Sequence, residues 1–385
     1  MNVGERVFTI RLPPEGTLLR DLTMTSLSYI HEHGREDLKL SFEGDVVRIR
    51  TWSTQVFSDS FKGLYEEAAS IASAKSEKIR LGLLLNDRGV LSKLLKKELK
   101  GFTYLDAIRD FLQARARKDP DFLSLSTIEV RGDEIRLGRG GFVPAINLLV
   151  SERYEHGLEF WKLNYARKLR IVLDEEWYAM VLAGFALAIA SLVNDDLLMV
   201  YLPEDFMMRG VSDKLFEVLK ALGGLRGSYS LQKKVNGVIY RRQCPAEPYS
   251  AFLLFTSLNL VKEAQDISAL YIHNYSLPLA LCKLRRSGNV FTMMERKRAE
   301  LFDALRFAAR LMREGEGLVE ELLEVVERAL SLRVGAELTT YHRFCNLLLQ
   351  SIQGAYSPYE VAYYGARSDL IHDHKLVRGI INALS

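Results

Sequence analysis

Residues 6–12, Arg-Val-Phe-Thr-Ile-Arg-Leu, alternate polar and apolar side chains, the period of a strand with one buried face, and Pro13, Pro14 and Gly16 stop the run. A helical repeat follows from Leu18 to about His31 and is closed by Gly34. Two more alternating runs, 38–42 and 46–50, flank Glu43-Gly44-Asp45 and predict a hairpin. Residues 127–130 and 134–137 around Arg131-Gly132-Asp133 predict a second one. Between the hairpins the spacing predicts helices at about 59–74, 90–99 and 104–117, and a strand at 79–85. Residues 1–150 therefore read as an N-terminal α+β region.

Seventeen residues from Trp177 to Val193 carry no charge, between Asp174-Glu175-Glu176 and Asp195-Asp196. The run is short for a membrane span and lacks basic flanks, so it predicts a helix that is apolar all round and buried in a core. It feeds an apolar strand at 197–202 ended by Pro203, and 213–222 has helical spacing. Residues 233–242, Lys-Lys-Val-Asn-Gly-Val-Ile-Tyr-Arg-Arg, then set Asn236-Gly237 between two short alternating runs, the strongest local signal for a two-residue hairpin turn. Residues 151–250 thus read as a central α/β region carrying a basic hairpin. Beyond Pro248 the strand signals fade, and 253–262, 299–313, 318–332, 339–353 and 358–384 repeat with a helical period. The expected fold class is α+β, with mixed sheet and helices in the N-terminal and central regions and a C-terminal all-helical bundle over 251–385.

Composition excludes bulk disorder, since 48% of the chain is hydrophobic and 26% charged. Cys244, Cys282 and Cys345 are too far apart for a redox pair or a zinc knuckle, and an odd number does not make a secreted disulfide framework. With no cationic and apolar leader at the start of the chain, the expected setting is reducing and cytoplasmic, without a membrane partner. The histidines stand apart from carboxylates at ligand spacing, and Gly138-Arg139-Gly140-Gly141 lacks the Lys-Ser/Thr of a phosphate loop. Neither a metal nor a cofactor is expected.

The net charge of +3 is too mild to indicate a polyanionic partner, but its distribution is uneven. Between Glu217 and Glu247 there are six basic residues, Lys220, Arg226, Lys233, Lys234, Arg241 and Arg242, and no acidic one. On a hairpin, Asn236 would reach base edges while Lys233, Lys234, Arg241 and Arg242 anchor phosphates. The same charges would also serve as protection of a sheet edge against unwanted pairing. A second acid-free stretch, Asp266 to Glu295, holds Lys283, Arg285 and Arg286 before Ser287-Gly288-Asn289, with Arg296, Lys297 and Arg298 after it. Tyr271, His273, Tyr275 and Phe291 there would either stack on unpaired bases or fill a core.

Arg367-Ser368-Asp369-Leu370-Ile371-His372 resembles the active-site motif of the HEPN ribonucleases, in which the Arg and His act on a ribose hydroxyl across a dimer. Arg367 and His372 would fill those roles in a metal-independent ribonuclease, and a surface helix is the competing reading.

Three stretches in order, LPPEGTLLRDLTMTSLSYIHEHG followed by LKLSFEGDVVRI, then EEWYAMVLAGFALAIASLVNDDLLMVYLPED, and last a helical end, resemble the large subunit of archaeal type I-A CRISPR interference (Cascade) complexes. The likeness covers most of the chain in layout. The zinc-free branch of that family is the compatible one, since no cysteine-rich module is present. The resemblance implies a non-catalytic subunit with three kinds of partner: the other subunits of an RNA-guided complex, target DNA, and helicase and nuclease subunits. Its implied work is to help identify the short motif beside the target, to hold displaced DNA and to support recruitment of the last two. In RNA-guided systems base pairing reads the target and protein reads the adjacent motif, so such a subunit needs basic, groove-sized elements and no active site.

Overall fold

Alternation with period two becomes strand β1 (Arg6–Arg11), and the runs around Gly44 become β2 (Leu38–Glu43) and β3 (Val46–Thr51). Gly44 makes the turn at φ 59°, a left-handed conformation that favours glycine. The three strands pair antiparallel in the order β1-β3-β2, with Val7 and Lys39 both opposite Arg50. Period two then sorts the side chains: Ile10, Leu38, Val47 and Ile49 are buried on one face, while Thr9, Arg11, Lys39, Arg48 and Arg50 are exposed on the other.

This computed structural model describes residues 5–34, 37–131, 134–154, 170–208, 213–272, 275–331 and 335–385. The fold is α+β. The chain divides into two compact units, one of Met1–Arg209 with Cys282–Arg296 and one of Gly210–Leu281 with Lys297–Ser385.

The first unit is built around helix α6 (Glu175–Ala188), of which every residue after Glu175 is buried. Helices α1 (Leu18–Gly34), α2 (Thr54–Lys75) and α4 (Tyr104–Ala116) pack around it, with α3 (Leu85–Leu95) against α4 and the short α5 (Phe122–Leu125) against α6. Asp174 caps α6, accepting from the N–H groups of Glu176 and Trp177 at 3.1 Å each. Its other oxygen accepts from Ser124 Oγ and, at 3.0 Å, from the Arg139 N–H. A Cβ at Gly138, where φ is 112°, would lie 2.0 Å from that carboxylate, so the glycine-rich 138–141 segment serves the cap. Gly184 lets α1 and α6 touch, since a Cβ there would sit 1.9 Å from the Leu22 carbonyl oxygen. At the far end of α6 the buried Lys75 Nζ donates to the carbonyls of Ala186 and Ile189.

The uncharged run is not helical to its end. Ile189–Val193 is strand β8, antiparallel to β9 (Asp196–Tyr201), because β-branched residues there meet a two-residue turn at Asn194 and Asp195, with φ 51° and 65°. The strand expected at 79–85 is not formed: Leu85 already begins α3, and residues 79–84, with Ile79, Leu81 and Leu83 buried and Arg80 exposed, make a single bridge, from Gly82 to Thr103. A second sheet runs β4 (Ile128–Arg131), β5 (Glu134–Leu137), β7 (Arg170–Leu173), β6 (Val143–Pro144), with β5 and β7 parallel. Gly132 and Asp133 of the expected turn lie outside the described residues. Glu204–Met208 forms the short helix α7.

The 251–385 region is not all helical. Strands β10 (Pro278–Ser287) and β11 (Val290–Glu300) interrupt it, turning at Gly288 with φ 59° and completing the third sheet, β11-β10-β9-β8. Leu279, Leu281, Leu284 and Phe291 are buried along this hairpin. Its later residues, Glu295-Arg296-Lys297-Arg298, supply no apolar alternation, so its strand character was hidden.

The second unit is helical: α8 (Asp213–Ala221), α9 (Ser228–Arg242), α10 (Tyr249–Lys262), α11 (Ser268–Ile272), α12 (Phe302–Glu314), α13 (Glu316–Ser331), α14 (Ala336–Ile352), α15 (Pro358–Arg367) and α16 (His374–Leu384). Helix α10 is its buried axis and packs on α9, α12, α13 and α14. The single run expected at 358–384 is broken after Arg367, where Asp369 takes φ 60° and Asp373 caps α16 at the Lys375 N–H, 2.8 Å away. Among the described residues no helix is long and apolar enough to cross a membrane.

Candidate nucleic-acid interface

The expected basic hairpin at 233–242 is not formed. Those residues are the last ten of helix α9, and Asn236 is buried in its middle rather than raised on a turn. The helical period buries Leu231, Val235, Val238 and Ile239 together, and that burial outweighs the local turn preference of Asn-Gly. The helix pays about 1 kcal/mol for Gly237 relative to Ala. It starts where Ser230 Oγ accepts from the Arg226 and Gly227 N–H groups at 3.0 and 3.1 Å. It stops at Gln243, left-handed with φ 48°. Asn236 therefore has no access to base edges.

Lys233, Arg241 and Arg242 of α9 are exposed. Acids distant in sequence meet them. Arg241 pairs with Glu263, and Arg242 stands 3.2 Å from Glu327. Lys234 is more enclosed: its Nζ donates to the Leu222 carbonyl just beyond α8 and lies 3.9 Å from Glu263. Burial lowers its pKa, opposed by the Glu263 charge. The acid-free stretch of sequence is thus partly neutralised in space.

Lys283, Arg285 and Arg286 are on β10, in the first unit. Arg285 grips both oxygens of Asp196, at 2.5 and 2.7 Å, and Lys283 lies 3.7 Å from the same carboxylate. Arg286 donates to the Gly82 carbonyl at 3.3 Å. Arg296 on β11 holds Asp21 at 2.7 Å, and burial pushes the Asp21 carboxyl up to about 6 against the pull of Arg296. These cations tie the hairpin to its own unit. The aromatic residues nearby are packed as well: Phe291 meets Tyr104 edge-on at 5.8 Å, Tyr275 meets Phe302 at 5.8 Å, and Arg313 lies over Tyr271 at 5.6 Å. His273 lies outside the described residues.

Arg367 ends α15 and donates to Tyr363 Oη at 3.3 Å, while His372 lies in the following connection with Nδ1 3.1 Å from Asp369. Both are exposed, and among the described residues no hydrogen bond or ion pair joins them. No group of three or more His, Cys, Asp or Glu side chains among the described residues could hold a metal ion.

One basic surface was passed over in the sequence. Lys39 on β2 stands directly opposite Arg50 on β3, and Ser41 opposite Arg48, on the exposed face of the first sheet. The signal is a register, which appears only once the strands are paired. Glu43, 2.9 Å from Arg48, is the acid on that face.

No family model matches the chain. A search of curated proteins likewise finds no significant relative.

Proposed function

We propose that this chain is a non-catalytic, nucleic-acid-binding large subunit of a CRISPR effector complex, contributing in the cytoplasm to recognition of the target-adjacent motif and to recruitment of helicase and nuclease subunits. The observation that supports this reading is the exposure of the cations carried by α9. Arg241 and Arg242 keep 58% and 64% of their side-chain surface exposed although each has a glutamate partner. Exposed ion pairs contribute about 0–1 kcal/mol, whereas an arginine can take a phosphate with two parallel hydrogen bonds, so a DNA backbone displaces Glu263 and Glu327 at low cost. An α-helix also has the width of the major groove. Base reading is not assigned to Asn236, and α9 acts through phosphates.

The test is the variant Lys233→Ala/Arg241→Ala/Arg242→Ala, with its fold checked by circular dichroism. Three lost phosphate contacts on duplex DNA lower the slope of log K against log salt by roughly three units, at ~0.9 per phosphate. Duplex affinity and salt slope equal to those of the unaltered chain would sink the assignment of α9.

A further inference from the structure

Helix α3 leaves one side uncovered. Only Asp87 and Leu91 of it are buried, and Leu85, Gly89 and Lys93, each a turn from the next, form an exposed line along it. Leu85 is 69% exposed, as much as any large apolar side chain among the described residues. Gly89 weakens the helix relative to alanine, yet a Cβ there would have nothing within 4 Å, so no neighbour in this chain requires a glycine. Lys96 ends the helix at φ 53°, a left-handed position that glycine more often fills. Lys93, Lys96 and Lys100 are exposed and, among the described residues, have no hydrogen bond or ion pair, while Lys97 beside them is held by Asp110. The helix dipole favours a cation in the last turn, which accounts for Lys93 but not for the open glycine and open leucine before it.

Helix α13 of the second unit carries the complementary charge. Glu316, Glu320 and Glu324 are exposed at four-residue spacing, a spacing at which like charges repel, and Arg328 continues the line. Glu320 has Lys262 at 3.0 Å, but among the described residues Glu316 and Glu324 have no ion-pair partner. Burial, then the charges of Asp373 and Glu324, raise the Glu321 carboxyl above its ordinary range, as expected where negative charge is concentrated. Gly317 is a second exposed glycine whose Cβ would have nothing within 4 Å.

Both helices advance about 1.5 Å per residue, and in antiparallel register the two faces match. With Lys93 between Glu320 and Glu324, Lys96 reaches Glu316, and Leu85 comes under the aliphatic stem of Arg328. Gly89 and Gly317 keep side chains out of the crossing. We propose that α3 of one copy of this chain docks on α13 of a second copy, through Leu85, Lys93 and Lys96 on one side and Glu316, Glu320 and Glu324 on the other. Because the two patches differ, the contact is head to tail and leaves each copy one patch for the next. One helix on another covers less than the roughly 1,200 Å² in total of a stable interface, so the association is weak, reversible and sensitive to salt. It uses none of the residues of the nucleic-acid reading and goes beyond it.

Sedimentation of the full chain over a range of concentrations, before and after nuclease treatment, reads the association. The average mass is expected to rise above that of the monomer at low salt and to return to it at about 1 M salt, where the screening length is about 3 Å. Lys93→Glu/Lys96→Glu and Glu316→Lys/Glu320→Lys are each expected to stay monomeric, and an equal mixture of the two to associate again, because each supplies the charge the other lacks. Gly89→Leu fills the crossing and is expected to weaken association about tenfold, at a melting temperature equal to or above that of the unaltered chain, which separates docking from folding. Melting curves verify the fold of the charge variants. A wild-type chain that stays monomeric at every concentration in low salt would overturn the proposal. So would association that either charge variant retains, or a mixture that remains monomeric. Association that disappears on nuclease treatment would belong to bound nucleic acid and would overturn the docking of α3 on α13 while leaving α9 standing.

Discussion

Arg115 and Glu176 form an ion pair in the core of the first unit, with side chains only 5% and 3% exposed. Glu176 is well supplied, since it also accepts from Tyr65 Oη at 2.6 Å and from the Asp121 N–H at 2.9 Å. Arg115 is not. Its Nη2 serves Glu176 and the Asp119 carbonyl, while Nε and Nη1 are buried without hydrogen-bond partners among the described residues. Removing one member of a buried pair costs about 3–5 kcal/mol, out of a total stability of about 5–15 kcal/mol. Arg115→Met leaves the carboxylate two donors, which places it near 3 kcal/mol on that scale. Glu176→Gln removes the counter-charge and leaves a buried guanidinium facing only neutral oxygens, the Gln amide and the Asp119 carbonyl, which places it towards about 5 kcal/mol. The double variant removes both charges, so its cost should fall about 3 kcal/mol or more short of the roughly 8 kcal/mol sum. Urea unfolding, followed through the transition that exposes Trp177, gives each value from the midpoint at constant slope. A double variant whose cost equals the sum of the singles within ~0.5 kcal/mol would refute the claim that burial of an unpaired charge dominates here.

Gly184→Ala gains about 1 kcal/mol of helix propensity but drives a methyl into the Leu22 carbonyl, so the urea midpoint should fall. A midpoint at or above that of the unaltered chain would mean that α1 and α6 can separate freely. Burial lowers the Lys75 ammonium from its ordinary 10.5 to about 7. The folded chain then holds fewer protons at this site than the unfolded one between those values, so its contribution to stability is lowest at and below pH 7 and rises towards pH 10. Lys75→Met should flatten that rise in a series of melting temperatures, and a wild-type series already flat over the window would contradict the burial of the amine.

The first sheet and the principal helices were legible because each has one face that must be buried, and the period of that face is written into the sequence. The strands at 6–12, 38–42 and 46–50 and the runs at 104–117 and 318–332 are of this kind. Asn236-Gly237 misled because a turn signal is local. The burial of Leu231, Val235, Val238 and Ile239 is collective, and a helix satisfies it where a hairpin would expose half of the set. Charge misled for a related reason: Glu263 and Glu327 are remote in sequence from Arg241 and Arg242 and adjacent in space. Arg367 and His372 are five residues apart, but the helix ends between them, so each turns to a neighbour of its own, Tyr363 and Asp369. The Lys39–Arg50 pairing had the opposite difficulty. Both residues sit in strands that were read correctly, yet nothing in either strand states which residue faces which.

The hairpin of β10 and β11 has a consequence for the order in which the chain can fold. Strands β8 and β9 are made first, and β9, with Leu197-Leu198-Met199-Val200-Tyr201, waits for its neighbour until 210–277 and then β10 have been synthesised. Until then an apolar edge stands open, the kind of edge that recruits other chains. A fragment ending at Arg209 keeps that edge permanently and should aggregate. One that joins 1–209 to the complete hairpin, 278–300, through a flexible linker restores the missing strand.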